Sequence, residues 1–258
     1  MDVQYSAKYR RLFSEHVPRF ELLEIEPIMK HIGHEPKQPL RVFDVGGNTG
    51  GWTISLLRHS GPWIGEVHMF EPMPGNRAKL DEAMSDGLFS GKASIKVCPF
   101  ALSHEAGSVT IHYENDVTGL ASIDNSDAMM PARNVSLNKT MEIETRTLDA
   151  YCTEHSIDRI DILKIDVEGH ELSVLKGAER MFGEKRIGVV AYEIGPHQMQ
   201  RREYYRDFFE FFATHGYQNH RYRENGWSTM AIKVYRPAFE KFDQVVMRMA
   251  VHPDYAEA

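Results

Sequence analysis

Short apolar runs alternate with amphipathic stretches along the chain, and this alternation predicts an α/β fold. Five runs have the length of buried strands: residues 41–45, 67–70, 94–99, 160–165 and 187–192. The stretches between them repeat apolar residues at helical spacing, as in the helix expected through Ile54, Leu56 and Leu57. Strands that alternate with helices in this way build a mostly parallel sheet with helices on both faces.

Three other segments depart from this alternation. Residues 108–113 and 141–145 alternate polar and apolar side chains, which predicts paired strands within an insertion of about residues 104–147. Near the end of the chain, Asn225-Gly226 is a strong two-residue hairpin signal, with strands expected at 218–222 and 229–235. A short amphipathic helix through Phe239, Phe242, Val246 and Met249 is expected to follow the hairpin.

These elements predict a Rossmann-like, doubly wound, seven-stranded sheet that is mostly parallel and ends in an antiparallel hairpin. Residues 1–38 are expected to form a separate helical segment, either a lid or an oligomer contact, ahead of a main domain at 39–258. A homo-oligomer is therefore one possible state of the protein. The aromatic stripe at 205, 208, 209 and 212 is expected to pack against the sheet.

Composition narrows the function classes. The formal net charge of −7 offers no basic surface for a nucleic-acid backbone. No apolar run approaches the ~18 residues that a membrane-spanning helix needs. Residues 1–13 carry no apolar core of a signal peptide, and Cys98 and Cys152 are too few for a disulfide framework. A cytoplasmic protein without a membrane span is the simplest expectation.

A glycine-rich turn directly follows the first strand. The dinucleotide fingerprint requires glycines at offsets of two and five, and Asn48 stands two residues after Gly46, so that fingerprint is broken. The glycines that recur, Gly46 and Gly50, lie four apart in the pattern Asp44-x-Gly-x-Asn-x-Gly. This pattern resembles the first motif of class I S-adenosylmethionine (SAM) methyltransferases.

An acidic residue ends the second strand. Glu71 lies 21 residues after Gly50, close to the ~20 expected for the acid that grips a ribose. A carboxylate at this position can accept hydrogen bonds from both ribose hydroxyls. The loop and Glu71 together favour a nucleoside ligand without a 2′-phosphate.

A long motif around the fourth strand indicates the family. The run Lys-Ile-Asp-Val-Glu-Gly-His-Glu at 164–171, followed by Leu-Lys-Gly-Ala at 175–178, resembles the hallmark of the FkbM-type methyltransferases. The glycine loop and the Phe-Glu-Pro turn at 70–72 are similar to the same family. The resemblance extends from about residue 42 to residue 193, and it implies a class I methyltransferase that uses SAM.

The resemblance also implies where the cofactor lies. The expected cofactor-binding residues are those of the loop, the ribose acid and the segment after the third strand: Asp44, Gly46, Asn48, Gly50, Glu71, Phe100 and Ala101. Similar methyltransferases line the adenine pocket with that last segment. Phe100 either stacks on the adenine or packs in the core.

Acidic residues and one histidine are the candidates for catalysis. Asp166 and Glu168 are two apart at the end of the fourth strand, so both point to one side, where an acceptor would meet the methyl group. One of them can take a hydroxyl proton, or they can bind a divalent metal ion, with Glu193 as a third ligand. His197, on the loop after the fifth strand, is the candidate base by position, whereas Glu171 is more simply a helix cap.

The sequence thus predicts a SAM-dependent O-methyltransferase that acts on a hydroxyl of a small molecule or sugar, in natural-product or glycan biosynthesis. A nicotinamide-dependent oxidoreductase is the first alternative, although Asn48 and the terminal hairpin count against it. A non-catalytic module that binds SAM or a sugar is the second alternative. The acceptor, the methylated atom and metal dependence are open at this point.

Overall fold

The computed structural model describes residues 20–33, 36–89, 91, 93–119, 121–123, 137–222, 229–240 and 246–253. Eight α-helices occur in these residues: α1 (Phe20–Ile32), α2 (Gly51–Ser60), α3 (Pro74–Ser85), α4 (Leu148–Glu154), α5 (Glu171–Lys176), α6 (Glu179–Gly183), α7 (Pro196–Gln200) and α8 (Tyr205–Thr214). The strands are β1 (Leu40–Val45), β2 (Ile64–Phe70), β3 (Ser94–Cys98), β4 (Ala101–Leu102), β5 (Gly107–Tyr113), β6 (Lys139–Arg146), β7 (Ile160–Ile165), β8 (Ile187–Ile194), β9 (Gln218–Tyr222), β10 (Thr229–Ile232) and β11 (Val246–Val251).

The main sheet has the expected Rossmann-like organisation. Its strand order is β10-β9-β11-β8-β7-β1-β2-β3. The last five strands in this order, β8, β7, β1, β2 and β3, are parallel. The order reverses between β1 and β7, so the carboxyl ends of these two strands flank the switch point at which open α/β sheets bind ligands. The predicted fold class is confirmed.

Helices cover both faces of this sheet because side chains alternate along each strand. Phe43 on β1 and Leu163 on β7 are buried under α4, α5, α6 and α8, whereas Val42 and Ile162 are buried under α1, α2 and α3. The aromatic stripe of α8 is in the first of these cores, as predicted, with Tyr205, Phe208 and Phe212 fully buried.

The carboxyl-terminal part of the sheet differs from the prediction. The main sheet has eight strands instead of seven, because residues 246–251 form a strand where a helix was expected. β11 lies between β8 and β9 and pairs antiparallel with both. The spacing of apolar residues cannot distinguish a short apolar helix from a strand. Here the hydrogen bonds to β8 and β9 stabilise the strand. The predicted pairing of β9 with β10 is confirmed, while its turn lies outside the described residues.

The insertion forms a small second sheet in the order β4-β6-β5. β5 and β6 pair antiparallel, with Val109 opposite Ile143, as the alternating pattern predicted. At the other end of the chain, residues 1–19 of the expected helical segment lie outside the described residues. Helix α1 packs its buried Ile25 and Ile28 into the same core as the main domain. The role of residues 1–38 as a lid or oligomer contact stays a prediction.

Candidate active site

The glycine loop after β1 is shaped by left-handed backbone and by close contact with β7. Gly46, Asn48 and Gly50 have φ values of 82°, 48° and 89°. The main-chain N–H groups of Gly46 and Gly47 donate to the carbonyl of Phe70, at 3.0 and 3.2 Å. A Cβ atom on Gly46 would overlap the carbonyl oxygen of Asp166. Only glycine therefore allows this loop to lie against the end of β7.

A buried ion pair fixes the loop from beneath. The Asp44 carboxylate, fully buried, accepts a hydrogen bond from Thr53 Oγ1 at 2.7 Å and lies 3.1 Å from Lys164 Nζ. Lys164 also donates to the carbonyl of Gly46 at 3.3 Å and lies 3.4 Å from Asp166 Oδ2. Asp44 thus holds the loop in shape rather than lining the cavity that the loop borders. Lys164 is therefore an ion-pair partner of two carboxylates.

Glu71 closes the loop from the β2 side. Its side chain is 4% exposed. One carboxylate oxygen accepts from the Asn48 N–H at 2.7 Å and the other from the Met73 N–H at 2.8 Å. Each oxygen retains a second lone pair for a ligand hydroxyl. Burial raises the pKa of Glu71 to about 7, although the Met73 and Asn48 N–H groups oppose this rise.

A cavity of about 580 Å³ opens at this edge of the sheet. That volume is within the ordinary range for a small-molecule site. Six of the expected site residues line it: Gly46, Asn48, Glu71, Ala101, Asp166 and Glu168. The glycine loop, the end of β2 and the end of β7 therefore converge on one site, although they are far apart in sequence. Gly50 does not line the cavity; a Cβ there would lie 2.5 Å from Phe89, so this glycine serves loop packing.

Phe100 lies in the core and does not line the cavity. Its ring packs 5.8 Å from the ring of Phe70, and the Arg146 guanidinium lies 4.3 Å from its centroid. These are contacts of core packing, and stacking of Phe100 on the adenine stays a prediction. Its neighbour Ala101 keeps a place on the cavity wall.

The insertion supplies a wall that sequence reasoning missed. Five residues between 117 and 123 line the cavity: Val117, Thr118, Gly119, Ala121 and Ile123. The Asn76 side chain, 2% exposed, donates to the Thr118 carbonyl at 2.8 Å and accepts from the Thr118 N–H at 2.9 Å. A Cβ on Gly75 would overlap the Asp116 carbonyl. The paired Gly75-Asn76 at the start of α3 was the available signal, because a small residue and an amide can fasten a passing loop.

Three carboxylates meet on the β7–β8 side of the site. Asp166, Glu168 and Glu193 each offer an oxygen within 4.8 Å of the other two. Glu168 has a left-handed φ of 53°, which turns the chain back after β7. Burial, followed by the charges of Asp166 and Glu168, raises the pKa of Glu193 well above its ordinary range. The predicted proximity of these acids is present in the structure.

Glu171 and His197 have different relations to this group. The Glu171 carboxylate accepts from the N–H groups of Val167 and Gly169 at 3.0 and 3.2 Å and from Gln198 Nε2 at 2.7 Å, so it fixes the turn that leads into α5 and does not cap the helix. His197 is 6% exposed and does not line the cavity, but its Nε2 lies 3.1 Å from Glu168 Oε2. A Cβ on Gly169 would lie 2.9 Å from His197 Cβ, so this glycine lets the histidine approach.

His170 lines the cavity as a neutral imidazole. Its Nε2 lies 2.9 Å from Ser103 Oγ. Burial, with a contribution from Arg201, lowers the pKa of His170 to about 3. This side chain therefore carries no positive charge at neutral pH.

A glycine turn after β1, a buried acid after β2 and a cavity at the switch point define a Rossmann-like nucleoside site of the class I methyltransferase kind. The chain belongs to the FkbM methyltransferase family, since residues 44–219 match the Methyltransferase FkbM domain. The match covers the glycine loop, Glu71, the acidic group and His197.

Individual relatives agree with this assignment. The chain is 24% identical over 158 residues to the 2-O-methyltransferase NoeI of Sinorhizobium fredii (strain NBRC 101917 / NGR234), in a match that covers 58% of this chain and 62% of NoeI. The crystal structure of the methyltransferase FkbM from Methylobacillus flagellatus KT superposes with a TM-score of 0.52 at 18% identity. It covers 83% of this chain and 43% of that protein, and it shows the shared fold.

The predicted family is thus confirmed, and the nicotinamide-dependent alternative is not favoured. The chain spans less than two thirds of the length of either relative. Among the described residues, no helix is long and apolar enough to cross a membrane.

Proposed function

We propose that this protein transfers a methyl group from SAM to a hydroxyl of a small molecule or sugar. The observation that carries the proposal is the placement of opposed acidic groups on one cavity. Glu71 marks the nucleoside side, and Asp166 with Glu168 marks the other side. Such a cavity can hold a nucleoside and a second reactant together.

The residues around the glycine loop fit the cofactor. Glu71 would accept hydrogen bonds from the ribose hydroxyls while its other lone pairs hold the Asn48 and Met73 N–H groups. Gly46 and Asn48 would face the methionine part of SAM, and Ala101 would face the adenine base. When bound, SAM supplies an activated methyl group on a sulfonium.

The chain must then orient the acceptor and receive its proton. Holding the two reactants at near-attack distance accounts for a large part of the rate. As the methyl–sulfur bond breaks and the oxygen–carbon bond forms, leaving S-adenosylhomocysteine, the carboxylate of Asp166 or Glu168 would take the hydroxyl proton. His197, 3.1 Å from Glu168, is placed to support that transfer by taking the proton onward.

The acceptor class rests on the relative and on the site chemistry. NoeI is named a 2-O-methyltransferase, and the acidic group here suits a neutral hydroxyl that must lose a proton. A role in natural-product or glycan biosynthesis follows from this acceptor. The described cysteines, Cys98 and Cys152, are buried free thiols, which supports a cytoplasmic location as part of the proposal.

A non-catalytic SAM-binding module remains the competing proposal, because it would use the same cofactor residues. An acceptor screen with methyl-labelled SAM separates the two. We expect label to move to a sugar or another polyol, with release of S-adenosylhomocysteine. Binding of SAM by calorimetry without transfer to any acceptor in a broad panel would favour the non-catalytic module.

A further inference from the structure

The group formed by Asp166, Glu168 and Glu193 has the geometry of a cation site. Two of these side chains follow β7 and the third lies near the end of β8, so adjacent strands present them together. Their oxygens lie within 4.8 Å of one another. Carboxylate oxygens are the ligands that magnesium, manganese and calcium prefer.

Two buried polar atoms at this group have no hydrogen-bond partner. The first is Glu193 Oε2. The second is Nε2 of His197, a side chain that is 6% exposed and directed at Glu168. Nε2 lies 3.1 Å from Glu168 Oε2, within ion-pair distance but without hydrogen-bond alignment. Buried atoms of this kind are costly to leave unsatisfied, which indicates that the group is arranged for a ligand.

The neighbouring charges leave the group negative. Lys164 is the cation beside it, 3.4 Å from Asp166 Oδ2, but its Nζ lies closer to Asp44, at 3.1 Å. The Glu171 carboxylate accepts hydrogen bonds from three donors of its own, and it supplies no donor to Asp166, Glu168 or Glu193. One lysine therefore faces several carboxylates, and a further cation would balance them.

We propose that Asp166, Glu168 and Glu193 bind one hard divalent cation of the magnesium or manganese class. The proposal rests on the proposed function, since the same side chains border the acceptor. Magnesium–oxygen distances of about 2.1 Å place adjacent ligand oxygens about 3.0 Å apart and opposite ones about 4.2 Å apart. The three oxygens, within 4.8 Å of one another, therefore have to move closer together by side-chain rotation when the ion binds.

A cation at this position has a defined use. It would hold the acceptor oxygen and stabilise the alkoxide that forms as the hydroxyl loses its proton. The carboxylates would then act as ligands, and His197 would be left as the proton acceptor beside Glu168. The acidic group would thus bind the cation, and the histidine would accept the proton.

The test measures Mn²⁺ binding to protein stripped with a chelator, by electron paramagnetic resonance, in the absence of SAM and acceptor. We expect one bound Mn²⁺, which Mg²⁺ displaces. Glu193→Gln should weaken Mn²⁺ binding about tenfold or more. Glu154→Gln, at a carboxylate that is 58% exposed and paired with Arg146, should bind as the wild type does.

Glu168→Gln provides a second ligand variant, and thermal unfolding shows whether each variant is folded. Wild-type protein that binds no Mn²⁺ at millimolar concentration overturns the cation site, as does unchanged binding in both ligand variants. Calorimetry with SAM on the stripped protein is independent of the cation. Its failure overturns the proposed function, whereas SAM binding without Mn²⁺ binding overturns only the cation site.

Discussion

The two sides of the cavity satisfy their polar groups in different ways. On the β1–β2 side, both oxygens of Glu71 accept main-chain N–H groups. On the β7–β8 side, Glu193 Oε2 and His197 Nε2 have no hydrogen-bond partner, and three carboxylates crowd together. The Glu71 carboxylate is therefore hydrogen-bonded without a ligand, whereas the acidic group keeps a carboxylate oxygen with no hydrogen-bond donor.

This difference separates recognition from chemistry. A cofactor that is the same in every turnover suits a surface fixed by backbone hydrogen bonds. A group that binds a reacting hydroxyl needs spare capacity to accept a proton or a charge. Mutations on the two sides should consequently affect different quantities, namely SAM affinity on one side and turnover on the other.

The largest effect is expected from Gly46→Ala, a change on the β1–β2 side of the cavity. A Cβ would overlap the Asp166 carbonyl, and the φ of 82° is itself unfavourable for alanine. SAM binding should fall below detection by calorimetry, with the free energy of unfolding lowered by about 2 kcal/mol or more. Gly183→Ala is the matched control, because Gly183 ends α6, has no positive φ and has open space at Cβ. Normal SAM binding by Gly46→Ala would show that the loop is not the cofactor cradle.

The next effect concerns the acceptor side. Asp166→Asn and Glu168→Gln remove carboxylates that act during methyl transfer, whether as proton acceptors or as ligands of the proposed cation. Turnover with an identified acceptor should fall by about 10²–10⁴, while the Kd for SAM should change little, because the loss is confined to the transition state. Single-turnover rates and SAM calorimetry measure the two quantities separately. Full activity in both variants would make the pair structural and leave proximity as the source of catalysis.

Glu71 offers a smaller effect with a pH signature. Since burial raises its pKa to about 7, the carboxyl is mostly protonated at pH 6 and mostly ionised at pH 8. The ionised form accepts ribose hydroxyls more strongly, so SAM affinity should rise about tenfold between pH 6 and pH 8. In Glu71→Gln the SAM affinity should be lower than in the wild type at pH 8, and it should change little between pH 6 and pH 8. A wild-type pH profile that the variant retains unchanged would remove Glu71 from ribose recognition.

The smallest effect is expected from a change at Asn76, which tests whether the inserted segment around Thr118 is held in place by hydrogen bonds as the β1–β2 side is. Asn76→Ala removes the two hydrogen bonds to Thr118 and should lower the free energy of unfolding by about 1–2 kcal/mol. Hydrogen exchange across residues 114–119 should become faster. Asn115→Ala, an exposed asparagine of the same segment, should leave exchange unchanged. Equal exchange in the two variants would mean that Asn76 does not fasten the insertion.

The sequence was sufficient for features that depend on local pattern. Alternation placed β5 against β6, and the glycine loop, Glu71 and Asp166 converge because parallel strands end at one edge. It was insufficient where distant contacts decide. Residues 246–251 form a strand because two neighbours are available to pair with. Thr118 is held beside the cavity through its main-chain groups, so the signal for this contact lies at its partner Asn76 and not in the side chains of the loop. Asp44 has the type expected of a ligand group, yet burial against Lys164 gives it a structural role.

The position of β11 sets an order on folding during synthesis. Glu193 on β8 faces Met247 on β11, and the β9–β10 hairpin is made between the two. A nascent chain can therefore form the local hairpin before β8 has its second neighbour, because the pairing of strands that are distant in sequence is slow compared with local pairing. The strand that carries Glu193 keeps an open edge until β11 arrives. The acidic group should thus be among the last parts of the molecule to become ordered, later than the glycine loop.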